Sequence, residues 1–279
     1  MKVLMLSFDV EDWFQAENLR GLFPHEKWEI CDIRAKDNLQ KILYLLDEHG
    51  LRATFFVLGW LAERYPGLVR EIHKRGHEVA SHGYAHELIH HQEPEEFKED
   101  IARAKRILED IIGDEILGYR APSFSITDWA VEIIKEVGYK YDSSYCPTLL
   151  HNRYGRLNLK LTTDTNTNTG IFKFPNGLIE VSLSTLNLMG ASIPWGGGAY
   201  FRLLPYPLFR AGIKKILNNR IYVFYFHPWE IDPAQPRIKR LRWDYRLRHY
   251  WGLDNTLNKL EKLLQDFSFV TIREGVGLV

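Results

Sequence analysis

The chain has 279 residues, and its 36 Lys plus Arg balance 36 Asp plus Glu, giving a formal charge of zero. That balance argues against a general nucleic-acid binder, which carries a basic excess. Hydrophobic residues make up 45%, enough for a sizeable core in one large domain or two small ones.

Residues 3–8 read as a first strand, and 9–24 as a long loop holding Asp9, Glu11 and Asp12 beside Trp13 and Phe14. Leu39, Ile42, Leu43 and Leu46 recur at helical spacing, and Gly50 caps that helix. Residues 53–58 form a second strand, 61–74 a helix ended by Gly76, and 78–81 a short strand leading into His82. Phe97, Ile101, Ala104, Leu108 and Ile111 mark an amphipathic helix closed by Gly113. Residues 116–119 are a strand ending at Arg120-Ala121-Pro122. A helix capped by Thr127 or Asp128 follows, stopped by Gly138, and a strand over 139–141 ends at Asp142-Ser143-Ser144.

The middle changes character. Residues 157–170 are rich in Thr and Asn and read as a surface loop. Short strands at 171–174 and 178–183 flank the turn signal Pro175-Asn176-Gly177. Gly196, Gly197 and Gly198 suit a loop passing close to a ligand, or a plain flexible one. A helix at 207–217 and a buried strand at 221–226 deliver His227-Pro228-Trp229-Glu230. Arg237, Lys239, Arg240, Arg242, Arg246 and Arg248 then make a positive stripe. It reads as a solvated face, or as a contact for an anionic sugar, a lipid phosphate or a membrane surface. A last helix spans 253–264 and a last strand 267–272, and no internal repeat is evident.

Strands alternate with helices, and polar residues repeatedly follow the strands. This is the pattern of a (β/α) barrel or an open α/β sheet, with ligands gathered at the C-terminal strand ends. His82 and His86 lie four apart, and on a helical turn that spacing puts both imidazoles on one face, as a divalent metal requires. Cys31 and Cys146 form neither a metal motif nor a disulfide framework. No stretch approaches the ~20 apolar residues of a membrane span. The opening apolar run is too short for a signal-peptide core, so the default expectation is a cytoplasmic protein. The 8 Trp, 14 Tyr and 15 Phe suit a site that stacks on sugar rings, or an ordinary aromatic core.

Taken in order, these strand ends resemble the NodB-like polysaccharide deacetylases, carbohydrate esterase family 4. The family's His-Ser/Thr-x-x-His motif has its counterpart in His82-Gly83-Tyr84-Ala85-His86, with glycine in place of the hydroxyl residue. The Phe-Asp-Asp-like strand end corresponds to Phe8-Asp9-Val10-Glu11-Asp12, and Arg-x-Pro to Arg120-Ala121-Pro122. Asp142-Ser143-Ser144 matches a further motif, and Tyr225-Phe226-His227 stands for the late Leu-x-His. The tail from His227 to Tyr250 resembles a subgroup found near exopolysaccharide gene clusters. The resemblance implies a distorted (β/α) barrel of about seven strands. The chain is then a single catalytic domain over 1–279, with the barrel at 1–232 and an extension at 233–279 packed on it.

It also implies a metal-dependent hydrolase that removes an N-acetyl group from an amino sugar in a polysaccharide or its precursor. His82, His86 and one carboxylate would hold the metal, Zn²⁺ first, with Co²⁺ or Ni²⁺ also suited. Val10 stands at the family's usual carboxylate position, so Glu11 or Asp12 replaces it; Asp12 is preferred as a short carboxylate reaching after a bulge. Asp9 would be the general base and His227 the general acid, with Arg120 and Asp142 orienting them. Trp195, Tyr200, Arg202 and Trp229 are candidates for contacting the substrate, Arg202 alternatively joining the network that orients the catalytic groups, and an oligomer is compatible with the aromatic tail. Two competing readings are a deformylase or cyclic-amide hydrolase of the same fold, and a non-catalytic carbohydrate-binding or assembly protein.

Overall fold

The computed structural model describes residues 3–148, 154–159, 162 and 169–278. Most of the Thr/Asn-rich stretch expected to be a surface loop lies outside them.

The first strand, β1 (Leu4–Val10), is buried along its whole length, as a central strand of a parallel sheet must be. Helix α1 (Ala35–Glu48) returns the chain to β2 (Thr54–Val57). The helix expected over 61–74 is two, α2 (Gly59–Arg64) and α3 (Pro66–Lys74). Tyr65 precedes a proline and takes φ −127°, ψ 58°, because the proline ring excludes helical backbone at the residue before it. There follow β3 (Glu78–Ser81), α4 (Pro94–Ile112), β4 (Gly118–Tyr119), α5 (Asp128–Glu136) and β5 (Tyr141–Asp142).

The second half adds β6 (Ile171–Lys173), β7 (Ile179–Val181) and the separate hairpin β8 (Thr185–Leu188) and β9 (Ala191–Pro194). Helices α6 (Gly198–Leu203) and α7 (Tyr206–Ile216) lead to β10 (Tyr222–Phe226). The chain closes with α8 (Trp243–Tyr250), α9 (Thr256–Asp266) and α10 (Ile272–Gly275). The strand expected at 267–272 is only a single parallel bridge from Val270 to Met5, because Thr271 caps α10 and turns the backbone away.

The main sheet is an open, curled half-barrel of eight described strands in the order β10-β1-β2-β3-β4-β5-β7-β6. All neighbours run parallel except β6, which lies antiparallel on the edge. The α/β half-barrel thus carries one more strand than expected. No helix among the described residues is long and apolar enough to cross a membrane.

Parallel strands share one C-terminal edge, so Asp9, Ser81, Tyr119, Asp142 and Phe226 bring their successors to one rim. On β1, Leu4, Leu6, Phe8 and Val10 join the main hydrophobic cluster, while Met5 joins the second, inner one. Ser7 and Asp9 share the inner side with Met5, since side chains alternate with period two.

Candidate active site

Just past β1, Glu11 keeps the inward parity of Asp9, and Asp12 keeps the outward parity of Val10. The carboxylate beside the histidines is therefore Glu11: one ligand atom each from Glu11, His82 and His86 lies within 4.8 Å of the others, and all three residues are buried. Asp12 is not a ligand. Its oxygens accept from the backbone N–H groups of Trp13 (2.8 Å), Arg34 (2.7 Å) and Ala35 (2.8 Å), tying the acidic loop to α1. Both of its oxygens are thereby turned onto backbone N–H groups and away from the histidines.

The two histidines do not sit on a helical turn. Gly83 has φ +70° and His86 φ +54°, and the loop is held by Asp100, which accepts from Tyr84 N (2.8 Å) and Ala85 N (3.0 Å). A Cβ at Gly83 would come within 2.8 Å of Asp100 Oδ2, which explains why glycine stands where a hydroxyl residue was expected. His82 Nδ1–H donates to the Arg120 carbonyl at 2.8 Å, leaving Nε2 as the free lone pair. Burial pushes the His82 pKa down to about 4, outweighing the pull of Asp9, so the imidazole is neutral, as a metal ligand must be.

Arg120 is fully buried and is the clamp of the rim. Nη1 donates to Asp9 Oδ1 (2.7 Å) and Ser7 Oγ (2.8 Å), Nε to Ser143 O (3.0 Å) and Nη2 to Ser143 Oγ (2.9 Å). Its guanidinium lies 4.0 Å over the Phe56 ring. Asp142, expected to steady the catalytic histidine, makes no contact with His227. It accepts from Ser144 Oγ, which in turn accepts from Ala121 N, so it props the segment behind Arg120. Asp142 also faces Glu180 across the β5–β7 pair; burial raises both carboxyls, Asp142 to about 6.

The acidic partner of His227 is Glu230. His227 Nδ1–H donates to Glu230 Oε1 at 2.7 Å, while Nε2 lies 3.2 Å from Glu11 Oε1 and 3.8 Å from Asp9 Oδ2. Burial opposes charge on His227, but Glu11, Glu230 and Asp9 outweigh it and raise its pKa to about 9. Burial likewise opposes charge on Glu230, and the adjacent Arg202 and His227 overcome it and hold its carboxyl below the ordinary range. Sequence reasoning passed over Glu230, although its place three residues after His227 on one short helical turn was a readable signal.

Arg202 lines the cavity over the rim and also joins this network. Its Nε donates to Glu230 Oε2 (2.8 Å), and its other nitrogens to the carbonyls of Arg248, His249 and Trp251. Trp229 stacks between His227 (5.2 Å) and His249 (4.4 Å) and donates from Nε1 to Glu11 Oε1 at 3.3 Å. Trp229 and Tyr200 line a cavity of about 180 Å³ over the rim, together with Asp9, Glu11, His82 and His86. Trp195 does not line it: it is buried against Phe209, and its Nε1 donates to the Phe209 carbonyl at 3.0 Å. Of the glycine run, Gly198 lines the cavity, and close packing against protein explains the glycines. A side chain at Gly197 would collide with Tyr225, and one at Gly198 with the Glu230 carboxylate.

The donor set fits a divalent cation. Glu11 Oε2 is buried, faces His86 Nε2 at 2.9 Å and has no other partner. Burial tends to raise the Glu11 pKa, but His86, His227 and His82 together hold it well below the carboxylate range. Two imidazoles and one ionised carboxylate, with coordination positions left open toward a cavity, are the composition of a hydrolytic metal centre.

Comparison with known proteins agrees with this geometry. A family model described as polysaccharide deacetylase matches residues 2–141, half of the chain, and one described as a domain of unknown function (DUF3473) matches 143–276. A peptidoglycan-N-acetylglucosamine deacetylase of Bacillus cereus is 32% identical over 100 residues, covering 36% of this chain and 46% of that protein. A peptidoglycan deacetylase of Helicobacter pylori is 28% identical over 135 residues, covering 48% and 41%. The chain thus spans less than half the length of these curated relatives. Among solved structures, a Mycobacterium smegmatis protein classed as a polysaccharide deacetylase superposes with a TM-score of 0.63 at 20% identity, covering 99% of this chain and 89% of that one. A Bacillus anthracis protein described as a CE4 family pseudoenzyme has the same fold, with a TM-score of 0.52 at 14% identity, covering 98% and 64%. Fold likeness alone therefore does not decide activity. On the match across its first half, the chain belongs to the polysaccharide deacetylase family.

Proposed function

We propose that the chain is a metal-dependent hydrolase that removes an N-acetyl group from an amino sugar in a polysaccharide or its precursor. The observation that carries this is the convergence of Glu11, His82 and His86, flanked by Asp9 on Arg120 and by His227 on Glu230. The deacetylases among the relatives support the choice of an N-acetylated sugar.

A divalent cation held by the three residues supplies Lewis acidity toward the acyl oxygen and lowers the pKa of water. Asp9 is fixed through Oδ1 by Arg120 and presents Oδ2 to the cavity, where it takes the proton from the attacking water. His227 keeps Nδ1 on Glu230 and points Nε2 at the same space, so its proton passes to the leaving amine. General acid and base catalysis of this kind contributes ~10²–10⁴ in rate. Trp229 fixes the plane of the His227 ring by stacking, and Tyr200 offers a wall to the sugar. The cation in this reading is Zn²⁺, and the polymer is of the exopolysaccharide class.

Elemental analysis of wild type beside His86→Ala, paired with acetate release from short N-acetylglucosamine oligomers, tests the proposal. Stoichiometric metal lost in the variant, with acetate released by the wild type alone, supports it. Protein that takes up no metal even on addition would refute it.

A further inference from the structure

Beside the cavity, α8 (Trp243–Tyr250) and the residue that caps it expose large apolar side chains to solvent. Trp243 is 79% exposed, Leu247 45% and Trp251 54%, values that a stripe packed on the core would not show. With Arg237, Lys239 and Arg246 these residues line an open groove of about 410 Å³. Six cations, Arg237, Lys239, Arg240, Arg242, Arg246 and Arg248, lie in this segment of a chain whose net charge is zero. The one carboxylate among them, Asp244, is spent on Arg242. Lys239, Arg240, Arg246 and Arg248 form no ion pair among the described residues.

The groove and the candidate active site are lined by neighbouring residues of one helix. Arg248 lines the catalytic cavity, while Leu247 and Arg246, one and two residues before it, line the groove. The backbone carbonyls of Arg248, His249 and Trp251 accept from Arg202, which carries Glu230. A ligand that reaches from cavity to groove therefore passes a free guanidinium and then meets alternating aromatic faces and cations. Flat apolar faces suit sugar rings, and unpaired guanidinium groups suit carboxylates. A groove suits a chain better than it suits a bilayer, which meets a protruding face.

We propose that this groove is a carbohydrate subsite for an acidic glycan strand, one in which the N-acetylated sugar is followed by residues bearing carboxylates. The inference rests on the carbohydrate reading of the site and names its substrate class.

Binding tests it without relying on turnover. Titration of the full chain, followed by tryptophan fluorescence and calorimetry, compares a hexasaccharide alternating N-acetylglucosamine with glucuronate against a neutral N-acetylglucosamine hexamer. The acidic hexamer should bind more tightly, and its affinity should fall with salt, since the Debye length shrinks to ~10 Å at 0.1 M. Arg246→Gln and Trp251→Ala should each weaken it by about fivefold, while the exposed Arg106→Gln should not. Equal affinity for the two hexamers, or acidic binding unaffected by Arg246→Gln, would overturn the proposal. So would retention on phosphatidylglycerol vesicles without hexamer binding. Acetate release that fails while acidic binding follows this pattern would count against the hydrolase reading and leave the groove standing.

Discussion

Glu230→Gln is the sharpest test of the acid assignment. The substitution keeps shape but removes the charge that accepts from His227 Nδ1 at 2.7 Å and pairs with Arg202 at 2.8 Å. A hydrogen bond to a charged group is worth ~1.5–3 kcal/mol, and each pKa unit corresponds to ~1.4 kcal/mol. The His227 pKa, about 9 in the structure, should therefore fall by about one to two units. A cation on Glu11 cancels much of that residue's attraction for His227, so Glu230 becomes the dominant partner in the loaded protein. As a general acid, His227 is active when protonated, and activity is lost as pH rises through its pKa. The alkaline limb of kcat/KM for acetate release should move down by that one to two units in the variant. Thermal unfolding on the same samples checks that Arg202, still bonded to three carbonyls, keeps the tail in place. Superimposable alkaline limbs in a folded variant would refute the assignment of His227 as the acid.

Three further outcomes separate the roles of neighbouring residues. Glu11→Gln should abolish metal uptake with little change in the unfolding midpoint, whereas Asp12→Asn should retain the metal and lose ~1–3 kcal/mol of stability, because an amide faces three backbone donors. Gly83→Ser, though closer to the family pattern, should cost ~1–2 kcal/mol and weaken metal affinity in a binding isotherm, since φ is +70° and Asp100 occupies the space. His249 is buried with its pKa pushed down to about 3, so unfolding takes up a proton below its usual value. Its contribution is complete above pH 6.5 and declines as pH falls; at pH 5 the loss reaches ~2 kcal/mol. Denaturant unfolding of His249→Gln should show a correspondingly flatter dependence between pH 7 and 5.

Much of this was legible because strand ends carry their own punctuation. Apolar runs closed by Asp9, His82, Arg120, Asp142 and His227 announced one rim, and a parallel sheet brings such residues together without further information. The choice between Glu11 and Asp12 was also readable: period-two alternation puts Glu11 with Asp9, a simpler argument than a bulge. What could not be read is reach across the chain. Nothing local to Trp195 says that Phe209 and Gly212 enclose it, and nothing near Asp142 says that Glu180 faces it across the sheet. For Arg202 the sequence left substrate contact and the catalytic network as alternatives, because its partners lie 28 to 49 residues away.

The pairing of β1 with β10 sets a condition on how this molecule comes into being. Phe8 is in register with Phe226, so Asp9 and His227 flank a seam joining the earliest strand of the sheet to the last. During synthesis β1 emerges long before its neighbour, and one of its edges stays open until the strand carrying His227 arrives. Such distant pairing is slow to form and leaves an exposed edge meanwhile. The two segments recognised as separate families are therefore not interchangeable modules. A chain cut between them would part Asp9 from His227 and expose the middle of its own sheet.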